Sequence, residues 1–489
     1  MHKIVSVGDS MTMGFKSGAI YEPHLSYPSL ISLALGTQDE FTYPKFDGGE
    51  NIGGLPLNLE TIIEILSEKF PKGLKLYNYL PSVFTVNRHI ARVEKYWERG
   101  EGNSELKHNS PYHNLSVLTF GISDSFRVSE CESSKFLPKP RNNRILFTQI
   151  PEMPIYRAAR RTLNPSFGKP MSAFTQMCSA EKLANEKGIE NLIVFLGANN
   201  CLGAIIDLEL LYSQEADIYR LPHERRSNLW LPEHFRKAFS ILARKIEKID
   251  AGYVYIATIP KVTIPPVSRG WGDLHNGYFD YYTRAWLWDD VFDPCKDPFI
   301  TRGQAQQIDT FIDEYNDYIK ATCYKKGWNL IDICSLLDSI AFRRNQGVES
   351  YSWPKGAKEA LANNQSTSYL VKNGKVNLDT RYLRLWETPQ SHSGPIKSGG
   401  LFSLDGVHPT TICYGLIAEQ FLDAMVDNGV RNIRNETPFL DWDHIVQSDN
   451  LITNPPIMLK DLRKLLSFLS GKASGRVMLR LLEKFKGNV

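Results

Sequence analysis

The chain has 489 residues, about three times a common domain length, so it is either one elaborated domain or several smaller ones. Its apolar fraction of 42% and charged fraction of 23% exclude a disordered chain, and a net charge of +3 is too small for a nucleic-acid binder. No apolar run approaches the length of about 18 residues that a membrane-spanning helix needs. The seven cysteines are scattered, odd in number and never spaced as C-x-x-C, which argues against a disulfide framework and a Cys-rich zinc site and favours a reducing compartment.

The chain opens Met1-His2-Lys3-Ile4-Val5-Ser6-Val7-Gly8-Asp9-Ser10, with no apolar leader before the first β-branched run. A cytoplasmic location is therefore expected, with secretion after processing left open. Residues 3–7 read as a strand stopped by Gly8. A Gly-Asp-Ser at the carboxyl end of a buried strand is where open α/β sheets place ligand-handling groups; an ordinary turn capped by Asp and Ser is the plainer reading. Further strand candidates are Asn114 to Phe120, Asn191 to Leu196, Tyr253 to Thr258 and Asn329 to Ile333. Helix candidates cover about 27–35, 172–187, 232–248, 304–325 and 411–428. In helix 232–248, Phe235, Phe239, Leu242 and Ile246 share one face and Lys237, Ser240, Arg244 and Lys248 the other.

This alternation predicts an α/β fold: a three-layer αβα, flavodoxin-like domain with a mainly parallel five-stranded sheet. The domain is expected over 1–430, with insertions at about 37–110, 125–170, 262–302 and 340–400, followed by a C-terminal helical extension at 431–489. Two further clusters lie at predicted element edges. Leu192 to Leu196 is followed by Gly197-Ala198-Asn199-Asn200, and an Asn beyond a strand end can donate its amide to a developing oxyanion; an Asn-rich turn is the alternative. Leu404-Asp405-Gly406-Val407-His408-Pro409-Thr410 precedes an apolar helix, with Pro409 suited to its opening turn. Asp405 and His408 are three residues apart, a spacing that lets a carboxylate hold one imidazole nitrogen while the other faces outward. A structural His at a helix start is the alternative.

Taken together and in this chain order, these clusters resemble the SGNH or GDSL hydrolase superfamily. The first block extends as Gly8-Asp9-Ser10-Met11-Thr12-Met13-Gly14-Phe15 and the last as Asp405-Gly406-Val407-His408-Pro409-Thr410. The intermediate glycine block is best matched by Asn114-Leu115-Ser116-Val117-Leu118-Thr119-Phe120-Gly121, with Tyr77-Asn78-Tyr79 a weaker competing start. One departure stands in the third block, where Asn200 replaces the usual Asp. The resemblance implies a serine ester hydrolase, a lipase or esterase without metal or organic cofactor. Ser10 is then the nucleophile, His408 the base and Asp405 its orienter, with an oxyanion hole from the amides of Ser10 and Gly121 and the side chain of Asn199. An acyltransferase, a carbohydrate O-acetylesterase and a non-catalytic binding protein on the same fold are the alternatives.

Substrate signals are thinner. Eight aromatics fall within residues 271–292 (Trp271, Tyr278, Phe279, Tyr281, Tyr282, Trp286, Trp288, Phe292), either a lid or acyl groove or the insertion's own small core. Residues 460–489 carry eight basic and two acidic side chains interleaved with apolar ones. Two basic amphipathic helices in peripheral contact with an anionic membrane are one reading, and a helical pair packed on the body is the other. The expected partner is a small-molecule or lipid ester, and no nucleic acid.

Overall fold

The computed structural model describes residues 1–49, 52–74, 76–138, 150–285, 292–345, 351–386, 395–430, 440–456 and 459. Its centre is a four-stranded, wholly parallel sheet of β1 (His2–Gly8), β2 (Ile189–Phe195), β3 (Ala251–Ala257) and β4 (Asn329–Ile331), lying side by side in chain order. Val5 faces Leu192 across the first ladder, Ile193 faces Tyr255 across the second and Ala257 faces Ile331 across the third. Residues Ile4 to Gly8 are all buried, which is why this strand reads as an apolar run without alternation.

The expected fifth strand, Asn114 to Phe120, does not form. The segment lies parallel to β1 through a single bridge, Ser6 to Asn114. Ser6 N donates to His113 O (2.9 Å), Leu115 N to Ser6 O (2.9 Å) and Val117 N to Gly8 O (3.2 Å). Pairing stops there for local reasons. Asn114 Oδ1 takes the Ser116 amide, an Asx turn that bends the chain, and Thr119 then adopts φ 58° as Phe120 N donates back to Val117 O. Tyr77 and Asn78, the competing start, sit instead at the entry to the helix Tyr79–Arg99.

The predicted helices appear as α2 (Tyr27–Ala34), α3 (Gln176–Lys187), α4 (Pro232–Ile246), α5 (Arg302–Lys326) and α7 (Thr411–Asp427). Two more occur near the sheet, α1 (Ser10–Met13) directly after β1 and α6 (Ile333–Ile340) directly after β4. Aromatic contacts seat them. Tyr27 of α2 stacks on Phe421 of α7 and tilts against Phe195 of β2, while Phe235 of α4 stacks on Tyr315 of α5 at 4.0 Å. The long α5 begins with a capping box, Thr301 and Gln304 each accepting the other's backbone amide, and stops at Gly327 with φ 67°. Helix α7 starts at Thr411 with Thr410 as its cap, so Pro409 stands just outside its first turn rather than within it.

The expected insertions carry helices of their own, including Leu59–Lys69, Tyr79–Arg99, Pro154–Leu163 and Lys355–Asn363, and one buried apolar cluster runs from Ile4 to Leu459. In the third insertion, Ser268–His275 and Tyr278–Arg284 form an antiparallel hairpin. Its rings pack on one another and on neighbouring loops: Trp271 lies 5.5 Å from Phe292 and Tyr281 5.0 Å from Phe299. Tyr278 donates to Asp309 of α5. Trp286, Trp288 and the basic segment 460–489 fall outside the described residues. The cysteines are unpaired, and no described helix is long and apolar enough to cross a membrane.

Candidate active site

The carboxyl ends of β1 and β2 and the turn before α7 bring three distant segments together. After β1, Gly8 allows a tight exit, because a Cβ there would lie 2.1 Å from Thr12 Oγ1. Asp9 caps α1 by accepting the Met11 amide (3.0 Å), and Ser10 becomes the first helical residue. Its own amide has no intrahelical acceptor at that position. After β2, Gly197 takes φ 127°, which only glycine adopts readily, and swings Asn199 and Asn200 to the same edge.

The turn 403–408 is closed by Ser403 N donating to His408 O (2.8 Å) and Gly406 N to Ser403 O (2.9 Å). Inside it, Asp405 Oδ1 accepts the amides of Val407 (2.8 Å) and His408 (2.9 Å). Oδ2 accepts the Gly18 amide (2.9 Å) and faces His408 Nδ1 (3.1 Å). The neighbouring Ser17 amide donates to Ser403 Oγ (2.8 Å), so the loop after α1 clasps the acidic turn at two points. Burial would raise the Asp405 carboxyl, but His408 and the surrounding N–H donors outweigh it and hold it below its ordinary value. An ionised Asp405 only accepts, so Nδ1 carries the imidazole proton, and Nε2 is the acceptor for the Ser10 hydroxyl 2.9 Å away. The Phe15 ring, 4.4 Å from the imidazole centroid, fixes its tilt.

The remaining predicted residues are placed less simply. Asn199 Nδ2 reaches the site, yet it donates to Asp9 Oδ2 (3.0 Å) and to Phe120 O (3.1 Å). Asp9 is completely buried, and that burial pushes its carboxyl up to about 7. Gly121 departs from expectation. Its amide donates to Asp124 Oδ2 (2.8 Å), a carboxylate gripped through both oxygens by Arg225 (2.7 and 3.2 Å), so it is committed to a buried ion pair instead of an oxyanion. The glycine is needed for packing: a Cβ would lie 3.0 Å from Asn200 Oδ1. Asn200 Oδ1 accepts the Ile122 amide (3.1 Å), an acceptor role that an Asp at this position would fill equally.

Two cavities share Ser10, Asn199, Leu202, Val407 and His408 and differ in the rest of their walls. One, about 1050 Å³ including its mouth, is mixed in character, with Thr119, Asp207, Arg225, Arg226 and Trp230 in its wall. The other, about 680 Å³ including the open space at its mouth, is almost wholly apolar. None of the six described aromatics of the 271–292 insertion lines either, so the groove reading of that cluster finds no counterpart here and its own packing accounts for those rings. Sequence reasoning missed the Gly18 amide, the Asp124–Arg225 pair and α6. Asp9 was legible as a cap, but its bond to Asn199 was not. Among the described residues no group of three or more His, Cys, Asp or Glu is placed to hold a metal ion. Compared with known protein families and with curated proteins, the chain matches none.

Proposed function

We propose that the chain is a serine ester hydrolase of the SGNH type, acting through an acyl-enzyme on Ser10. The observation that carries the reading is the continuous relay Asp405 Oδ2–His408 Nδ1 (3.1 Å) and His408 Nε2–Ser10 Oγ (2.9 Å), buried and in a single tautomer. With the segment at 113–117 counted as an edge beside β1, the sheet takes the order second, first, third, fourth, fifth of the flavodoxin-like doubly wound fold. The three segments then meet where such sheets bind ligands.

In the first step Ser10 Oγ attacks the ester carbonyl carbon as its proton passes to His408 Nε2, and the carbonyl electron pair moves onto oxygen. Asp405 stabilises the imidazolium. The Ser10 amide and Asn199 Nδ2 are the donors for the oxyanion, Asn199 exchanging one of its resting partners for it. Collapse breaks the ester C–O bond, and the departing alcohol takes the His408 proton. Water then repeats the sequence, releasing the acid and restoring the Ser10 hydroxyl. The larger, more polar cavity is the side from which that water arrives.

A fluorophosphonate probe tests the assignment. Stoichiometric labelling lost in Ser10→Ala, together with p-nitrophenyl ester hydrolysis lost in the same variant, is the expected result. A folded wild-type protein that neither labels nor turns over any ester would leave the fold as a binding module.

A further inference from the structure

The apolar cavity beside Ser10 has a shape that names an occupant. Helix α6 presents Ile333, Leu336, Leu337 and Ile340 to it, residues spaced i, i+3, i+4, i+7 and so on one helical face. That stripe is about 10.5 Å long, close to the length of an extended acyl chain of about eight carbons. Pro260, Val262 and Pro265 from the loop after β3 form a second wall, and Phe402 and Ile417 a third. The charged group at its rim, Lys261, is already paired with Asp338 (3.1 Å) and Asp313 (3.5 Å), which leaves the interior without a free cation to attract a polar ligand. Asp9, Ser10 and His408 are also among its lining residues, so the apolar wall adjoins the Ser10 hydroxyl.

The other cavity has a different character. Arg225 is neutralised by Asp124, and the exposed Arg226 shares the wall with Asp207, so the lining carries both signs. A chain that must stay attached through two steps is best held where water is excluded, and a departing alcohol leaves best where water can follow it. Resting on the hydrolase reading, we infer that the substrate is a medium-chain acyl ester of a polar, uncharged alcohol. Its acyl chain lies along α6, and its alcohol lies on the side of Thr119 and Arg226.

The experiment is kcat/KM for p-nitrophenyl esters from acetyl to palmitoyl, with wild type, Leu337→Trp and Leu337→Ala, each checked for native melting. In wild type each added methylene is expected to raise kcat/KM up to about fourfold, to a maximum near eight carbons. Leu337→Trp fills the cavity and should lower the octanoate-to-acetate ratio at least about tenfold, while Leu337→Ala should move the maximum to longer chains. A flat chain-length profile, or a profile unchanged in both variants, overturns the inference while leaving the hydrolase reading intact. Absence of all ester turnover and of Ser10 labelling instead rejects the hydrolase reading. The cavity is then tested by calorimetric titration of octanoate into the full-length protein: binding weakened at least about tenfold by Leu337→Trp supports it, and no binding overturns it.

Discussion

Replacing Asp9 by Asn separates two roles that meet in one buried carboxyl. Oδ1 caps α1 by accepting the Met11 amide (3.0 Å), and Asn keeps that acceptor. Oδ2 accepts Asn199 Nδ2 (3.0 Å), and Asn puts an NH₂ there, donor against donor. The rate effect follows from Asn199: displacing one oxyanion donor removes about 2.7–4 kcal/mol of transition-state stabilisation, so ester hydrolysis should fall about 10²- to 10³-fold. The stability effect has its own signature. The Asp9 carboxyl is pushed from 3.8 to about 7 by burial, so between these values the native state holds a proton that the unfolded chain has released. Stability from this group is full below the unfolded value and declines as pH rises through the folded one. The loss is on the order of 4 kcal/mol across the window, from about three pH units at 1.36 kcal/mol each. Asp9→Asn has no such proton. Urea melts at pH 5 and pH 8 should show the wild type losing stability on going to pH 8 and the variant losing distinctly less. Other buried carboxyls such as Asp449, raised to about 6, add to both slopes and cancel in the difference. Equal pH slopes for the two proteins, or an undiminished rate in the variant, would refute the reasoning.

Further outcomes follow from the same contacts. Asp405→Asn leaves a side chain that cannot accept from all of Gly18 N, Val407 N, His408 N and His408 Nδ1, and the imidazole tautomer is lost; kcat should drop about 10⁴-fold in single-turnover kinetics, and the stranded buried donor should cost about 1–3 kcal/mol in denaturant melts. Arg225→Met strands the Asp124 carboxylate in a buried site and should destabilise by about 3–5 kcal/mol in denaturant melts, with much of the loss recovered in the Arg225→Met/Asp124→Leu double variant. Gly197→Ala forces φ 127° on a residue with a Cβ that lies 2.4 Å from Ile259 Cδ1. It should cost about 1–3 kcal/mol or more, and Ile259→Ala should relieve the clash but not the backbone strain.

Much of the sheet was readable because the carboxyl-terminal halves of β1, β2 and β3 are buried and show as largely apolar runs. Helix α4 was readable because its apolar face meets the core and its charged face meets solvent. The run 114–120 misled for an equally physical reason. Its composition is that of a strand, but Asn114 spends its side chain on the Ser116 amide and on Thr12 O, and those bonds turn the chain out of the ladder. The meeting of Ser10, Asp405 and His408 was legible because the Gly-Asp-Ser turn, the three-residue Asp405–His408 spacing and their places at element edges point to one sheet end. Gly121 was misassigned because a glycine in the right place does not say where its amide points; that depends on Asp124, whose direction is set by Arg225, 101 residues further on. The apolar cavity beside Ser10 was invisible, since α6 is a short helix whose apolar face is indistinguishable in sequence from one that packs against the core.

The clasp between the first and last thirds of the chain has a consequence for synthesis. Ser10 and His408 are separated by 398 positions, and the amides of Ser17 and Gly18 have no partners in Ser403 and Asp405 until those residues exist. At about 5–20 residues per second, a ribosome that has made Ser10 needs roughly 20–80 s more to make His408. Until then the Ser10 hydroxyl has no imidazole to bond, and a chain ended before His408 lacks that contact. On the proposed hydrolase reading, reactivity toward esters is therefore tied to completion of the chain.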